Sequence, residues 1–105
     1  MNKVTVAWLQ EHLMKDRVTE YHRCPRIECA DGFSMSVQAS SGHYCSPRVD
    51  NATWSKVEVG FPTEVPVHFL SYAESSKDPT DTVYGYVPVE LVVDEINHHG
   101  GVIES

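Results

Sequence analysis

The chain reads as an α+β domain: a three-stranded antiparallel sheet with an N-terminal and a C-terminal helix packed on one face. Three observations predict this. Three stretches alternate apolar and polar residues at the two-residue period of a half-buried strand. Two stretches, one near each end, carry apolar residues at helical spacing. Clusters of Gly, Pro, Asn, Asp and Ser separate them. The order is helix, strand, strand, short irregular helix, strand, helix, which suits an antiparallel sheet covered by helices on one side.

The first helix is expected over residues 5–15. Thr5 can cap it, and Val6, Leu9 and Leu13 fall on one face, flanked by Trp8 and Met14. Glu11 and Lys15 are one turn apart in the favourable order. Residues 16–31 are polar and irregular and end in the turn pair Asp31-Gly32. A strand follows at 33–39, where Phe33, Met35, Val37 and Ala39 alternate with Ser34, Ser36 and Gln38. After the break at 40–42, residues 43–48 can run as an extended edge that Pro47 limits.

The second strand is expected at 54–61, with Val57, Val59 and Phe61 on one face. Pro62 and Pro66 make a loop, 68–73 reads as a short helix, and 74–81 as an exposed loop. The third strand covers 82–87, with Val83, Gly85 and Val87 on one face and Tyr84 and Tyr86 on the other. Pro88 suits the first position of a helix. Val89, Val92, Val93 and Ile96 then form the closing helix's stripe. Glu90 in the first turn and His98 and His99 in the last lie where the helix dipole favours them. Gly100 is the stop, and 102–103 can add a short tail strand.

With 105 residues, 41% of them hydrophobic and 22% charged, residues 1–105 are expected to form a single domain. No apolar run is long enough to span a membrane, and residues 1–16 do not read as a signal peptide. Three cysteines without such a signal suggest free thiols in a reducing, cytoplasmic compartment.

The net charge of −7 is placed unevenly. Residues 1–56 hold seven basic and six acidic side chains; residues 57–105 hold nine acidic side chains and one basic, Lys77. Such a field repels nucleic acid and anionic lipid and attracts basic protein surfaces. Nucleic acid and membrane are therefore disfavoured as partners, although Lys15, Arg17, Arg23 and Arg26 form a local basic stretch.

Several constellations bear on chemistry. Cys24, Cys29, His43 and Cys45, with His22 as a substitute, are an alternative zinc set, because thiolate and imidazole are zinc's preferred ligands. The spacing argues against it: four residues separate Cys24 from Cys29, and there is one such pair. No cofactor is expected. A nucleophilic Cys45 beside His43 lacks any surrounding signature. Gly100-Gly101 follows a helix, so it is not a phosphate loop. Asp94-Glu95 reads as a solvated helix face. No catalytic residue is assigned, and the chain is not expected to be an enzyme. The reading favoured is a binding surface: Glu58, Glu64, Glu74, Asp78 and Asp81 as an acidic rim, with Tyr84 and Tyr86 as anchors. The oligomeric state stays open, a dimer through the exposed sheet face being one alternative.

Residues 31–39 (DGFSMSVQA), 43–48, 57–62 (VEVGFP) and 82–88 (TVYGYVP), with the closing helix ending in His99-Gly100-Gly101, resemble a group of small uncharacterised proteins of tailed bacteriophages and prophages. The resemblance covers about residues 31–101, a sheet-plus-helix core, and leaves out the helical N-terminal part, 1–30. It implies a phage origin and the cytoplasm of a bacterial host as the working compartment. It carries no catalytic residues. Small acidic phage proteins are often inhibitors of host or defence machinery, anti-CRISPR proteins among them. Together with the one-sided charge, which favours a basic partner surface, the resemblance suggests a protein-binding module aimed at a host or defence protein.

Overall fold

The computed structural model describes residues 3–15 and 24–103. The first element is helix α1, Val6–Met14, and Thr5 caps it: its Oγ1 accepts the Trp8 N–H at 3.2 Å. Leu9 and Leu13 are buried, as the stripe predicts. The α+β class and the antiparallel sheet hold, but the sheet has four strands rather than three. They are β1 (Ile27–Glu28), β2 (Ser34–Gln38), β3 (Lys56–Gly60) and β4 (Val83–Pro88), and they lie side by side in chain order. The unexpected strand is β1. Two residues are too few to show a period, and the turn through Asp31 and Gly32 folds it back onto Met35 and Ser34. Gly32 supplies the positive φ, +96°, that this turn requires.

Met35, Val37, Val57 and Val59 are fully buried and share one core with Leu9, Leu13, Val92 and Ile96 of the helices. The expected alternation of β2 and β3 therefore holds, but that of β4 does not. Val57 pairs with Val87 and Val59 with Tyr84, so two steps along β3 match three along β4. This is a β-bulge, and it moves one residue out of phase. Tyr84 and Val87 are buried, and Tyr86 between them is exposed with φ +56°. The two tyrosines thus do not share a strand face.

The short helix expected at 68–73 is one 3₁₀ turn, Leu70–Tyr72. Helix α2, Val89–His98, buries Val89, Val92, Val93 and Ile96. Pro88 is its N-cap rather than its first helical residue. At the other end the Gly101 N–H reaches the Ile96 carbonyl and the Gly100 N–H reaches that of Asn97, a Schellman closure. Both glycines have positive φ, and a Cβ on Gly100 would meet that of Ala30 at 3.1 Å. Asn97 exchanges two hydrogen bonds with the backbone of Val4, tying the start of the described chain to α2.

Both outer edges of the sheet are covered in part. Beyond β1, Cys29 bridges Val102, and Ile103 donates to the Glu28 carbonyl. Beyond β4, Ala73 bridges Tyr84, and Glu74 donates to the Val83 carbonyl. The expected tail strand is therefore an isolated bridge, and so is the extended segment before Pro47, where Ser46 pairs with Lys56. Among the described residues no helix is long and apolar enough to cross a membrane.

Candidate functional site

The most unusual chemistry lies where the C-terminus of α2 meets the β1–β2 turn. Glu95 is fully buried. The expectation of a solvated Asp94-Glu95 face is correct for Asp94 and wrong for Glu95, which shares the buried side of α2 with Val92 and Ile96. A buried carboxylate needs partners, and Glu95 has three contacts to two histidines. Its Oε1 accepts the His68 backbone N–H at 2.9 Å and contacts His68 Nδ1 at 2.8 Å. Its Oε2 is 2.9 Å from His99 Nε2, one turn on. The other ring nitrogen of His99, Nδ1, is 2.7 Å from Asp31 Oδ2.

His99 therefore bridges two carboxylates. It is 7% exposed, and its ring stacks on Phe33 with centroids 4.0 Å apart and planes 3° from parallel. Burial alone pushes its pKa down, but the contacts with Asp31 and Glu95 outweigh that, and the net shift is upward. Asp31 is held below the usual carboxylate range, chiefly by the Phe33 N–H that its Oδ1 accepts and next by His99. His98 meets the rings of both His68 and His99 edge-on. Glu64, expected on a partner-facing rim, instead comes close to Asp31 and His99: one donor atom from each of the three lies within 4.8 Å of the others.

The alternative zinc set does not assemble. Among the described residues, the group just named is the one cluster of three or more His, Cys, Asp or Glu side chains close enough to share an ion. Cys24, Cys29 and Cys45 are buried and form no disulfide. The Cys45 thiol donates to the Ser40 carbonyl at 3.1 Å, and that of Cys24 faces the Leu13 carbonyl at 3.6 Å. His43 Nδ1 turns to Ser40 Oγ at 2.6 Å, away from any thiol cluster. Burial, then the charges of Asp31 and Glu95, push the Cys29 thiol up to about 11, so it is not a nucleophilic thiolate near neutrality. His22 lies outside the described residues.

The residues expected on the binding surface have different surroundings. Tyr84 is fully buried, edge-on to Phe69, with its hydroxyl donating to the Pro79 carbonyl, so it is no anchor. Tyr86 is 43% exposed; its ring packs on Tyr44 with centroids 5.9 Å apart, and Arg48 lies over Tyr44 at 5.4 Å. Glu58 is half-buried, and its carboxylate accepts the Tyr44 N–H at 3.0 Å, so it fixes the aromatic pair instead of forming a rim. Glu74, Asp78 and Asp81 are exposed.

A second aromatic is exposed as well. The alternation of 54–61 places Phe61 with Val57 and Val59, but it is 49% exposed with φ +50°. Phe61 and Tyr86 each follow a glycine, and each holds a left-handed backbone that aromatic side chains rarely adopt.

Surface grooves run along α1, one lined by Trp8, Glu11, His12, Met14 and Lys15, and a second lined in part by Pro25, Arg26 and Val102. Neither includes the histidine cluster or Tyr86, and wide open grooves carry less chemical information than the converging charged groups. No family model, curated protein or solved structure matches the chain.

Proposed function

We propose that the chain is a protein-binding module, not an enzyme, that docks on a basic surface through Tyr86, Tyr44 and the acidic loop bearing Glu74, Asp78 and Asp81. One observation carries this reading: Tyr86 is presented to solvent from a left-handed backbone. Such a conformation costs about 1–2 kcal/mol in a non-glycine residue and persists where the surroundings over-determine it, which happens most at sites of recognition or catalysis. Aromatic anchors of this kind dominate the energetics of protein interfaces. The charge pattern supplies the complement. Nine acids against one base after Lys56 favour a cationic partner.

The target follows from the resemblance of residues 31–101 to tailed-phage proteins: a host or defence protein in a bacterial cytoplasm, inhibited by occlusion of its basic surface. The test has two stages. A partner is first isolated on the immobilised chain from a bacterial host lysate and purified, and its association and dissociation are then followed at several salt concentrations. Charge reversal of Glu74, Asp78 and Asp81 together slows association and flattens its salt dependence, and Tyr86→Ala speeds dissociation. A partner that binds with the same rates at all salt concentrations and to all variants would falsify the reading.

A further inference from the structure

We propose that Asp31, Glu64 and His99 form a binding site for one divalent transition-metal ion of the Zn²⁺ or Mn²⁺ type. The three donors come from three separate segments: the β1–β2 turn, the loop after β3, and the C-cap of α2. One ligand atom from each lies within 4.8 Å of the other two. Bonds of about 2.0–2.2 Å to a tetrahedral ion put donors roughly 3.3–3.6 Å apart. Asp31 and Glu64 are exposed, so rotation of their side chains can open the 2.7 Å contact of Asp31 with His99 and bring Glu64 to that spacing while the imidazole stays in place.

A second observation points to a ligand, independently of the convergence. His99 is built as ligating histidines are built. Its Nε2 is held by Glu95 Oε2, a fully buried carboxylate, and Glu95 is itself anchored by the backbone and ring of His68. Phe33 fixes the plane of the ring from one face. An outer carboxylate on one imidazole nitrogen sets ring orientation and raises the basicity of the other nitrogen toward a metal. Here that other nitrogen, Nδ1, faces Asp31. Three carboxylates, Asp31, Glu64 and Glu95, lie about this one imidazole, and an ion on Nδ1 would take the place of the proton shared there with Asp31.

Two oxygen donors and one nitrogen suit Zn²⁺, Mn²⁺ and their neighbours better than soft, thiolate-seeking ions. Three protein ligands leave at least one coordination position open to water. The buried thiol of Cys29 lies outside the group, which separates this site from any cysteine-based one. The site stands whether or not Tyr86 docks a partner.

The experiment uses the untagged full-length chain, stripped with a chelator and titrated with ZnCl₂ and with MnCl₂ by calorimetry and thermal melting. At least one of the two ions should bind, one per chain, and raise the melting temperature as ion concentration rises. Glu64→Gln and Asp31→Asn should each weaken that binding at least about tenfold, the loss that even an outer-sphere partner can cause. Asn at position 31 keeps an oxygen for the Phe33 N–H, and position 64 is exposed, so both variants should retain the circular dichroism of the parent. If Asp31→Asn fails to fold, Glu64→Gln alone decides. Loaded with Co²⁺, the protein should show ligand-field bands without a thiolate charge-transfer band. The proposal is overturned by no binding of either ion up to about millimolar concentration, which is weaker than roughly 4 kcal/mol of affinity. Affinity unchanged in Glu64→Gln, or a thiolate band with Co²⁺, would overturn it equally.

Discussion

Tyr84 and Tyr86 are two positions apart and have opposite fates, one in the core and one in water. A strict two-residue period predicts the same side for both, and the extra residue in β4 is what separates them. The hint was Gly85, since an isolated glycine within a strand pattern often marks a bulge. Burial, then the charge of Glu95, push the Tyr84 phenol above its usual pKa. A raised folded-state pKa means that the native state keeps its proton longer than the unfolded chain. Its contribution to stability is thus complete below about pH 10 and lost as pH rises through the folded value. Spectrophotometric titration should show a tyrosine that ionises late, only as the protein loosens, and Tyr84→Phe should remove that late step. Loss of amplitude from the ordinary, early step in Tyr84→Phe would instead show that the ring is accessible. Asp31, Glu64 and His99 were illegible as a group for a different reason: they lie far apart in the chain and share no ligand spacing. Glu95 did carry a signal. It falls on the apolar face of the closing helix, where an unpaired carboxylate is too costly, and His99 one turn later is a partner within reach.

Elements were far easier to read than their details. The two helices announce themselves through caps and stripes, Thr5 with Leu9 and Leu13 at one end and Val92 with Ile96 and Gly100 at the other. Strands β2 and β3 show clean alternation because one face of each is buried. Strand β1 shows nothing, because its two residues form a strand only once Asp31 and Gly32 have turned the chain back. The closing helix is a good measure of how much the stripe contributes. Ile96 is fully buried in the common core, and Ile96→Ala should destabilise the protein by about 2–5 kcal/mol in urea unfolding. A change under about 0.5 kcal/mol would mean that the cavity collapses or that the stripe packs less tightly than the structure has it.

At the scale of the whole molecule, the cysteines are part of the core rather than a separate device. Cys24, Cys29 and Cys45 are all buried, each in the main cluster. In native conditions a thiol reagent of moderate size should label none of the three at an appreciable rate, and in denaturant it should label all three. Labelling that proceeds to completion before unfolding would contradict this packing. The covered margins of the sheet have a wider consequence. Segments 101–103 and 73–74 occupy the hydrogen-bonding groups that β1 and β4 would otherwise present. Templated stacking of one molecule on the next, the route into fibrils, needs a free run of such groups and finds little here. Concentrated solutions should therefore stay clear through long storage. A binding partner that approaches those two margins, for its part, meets main-chain groups already engaged at Glu28, Cys29, Val83 and Tyr84, and gains more from reading side chains.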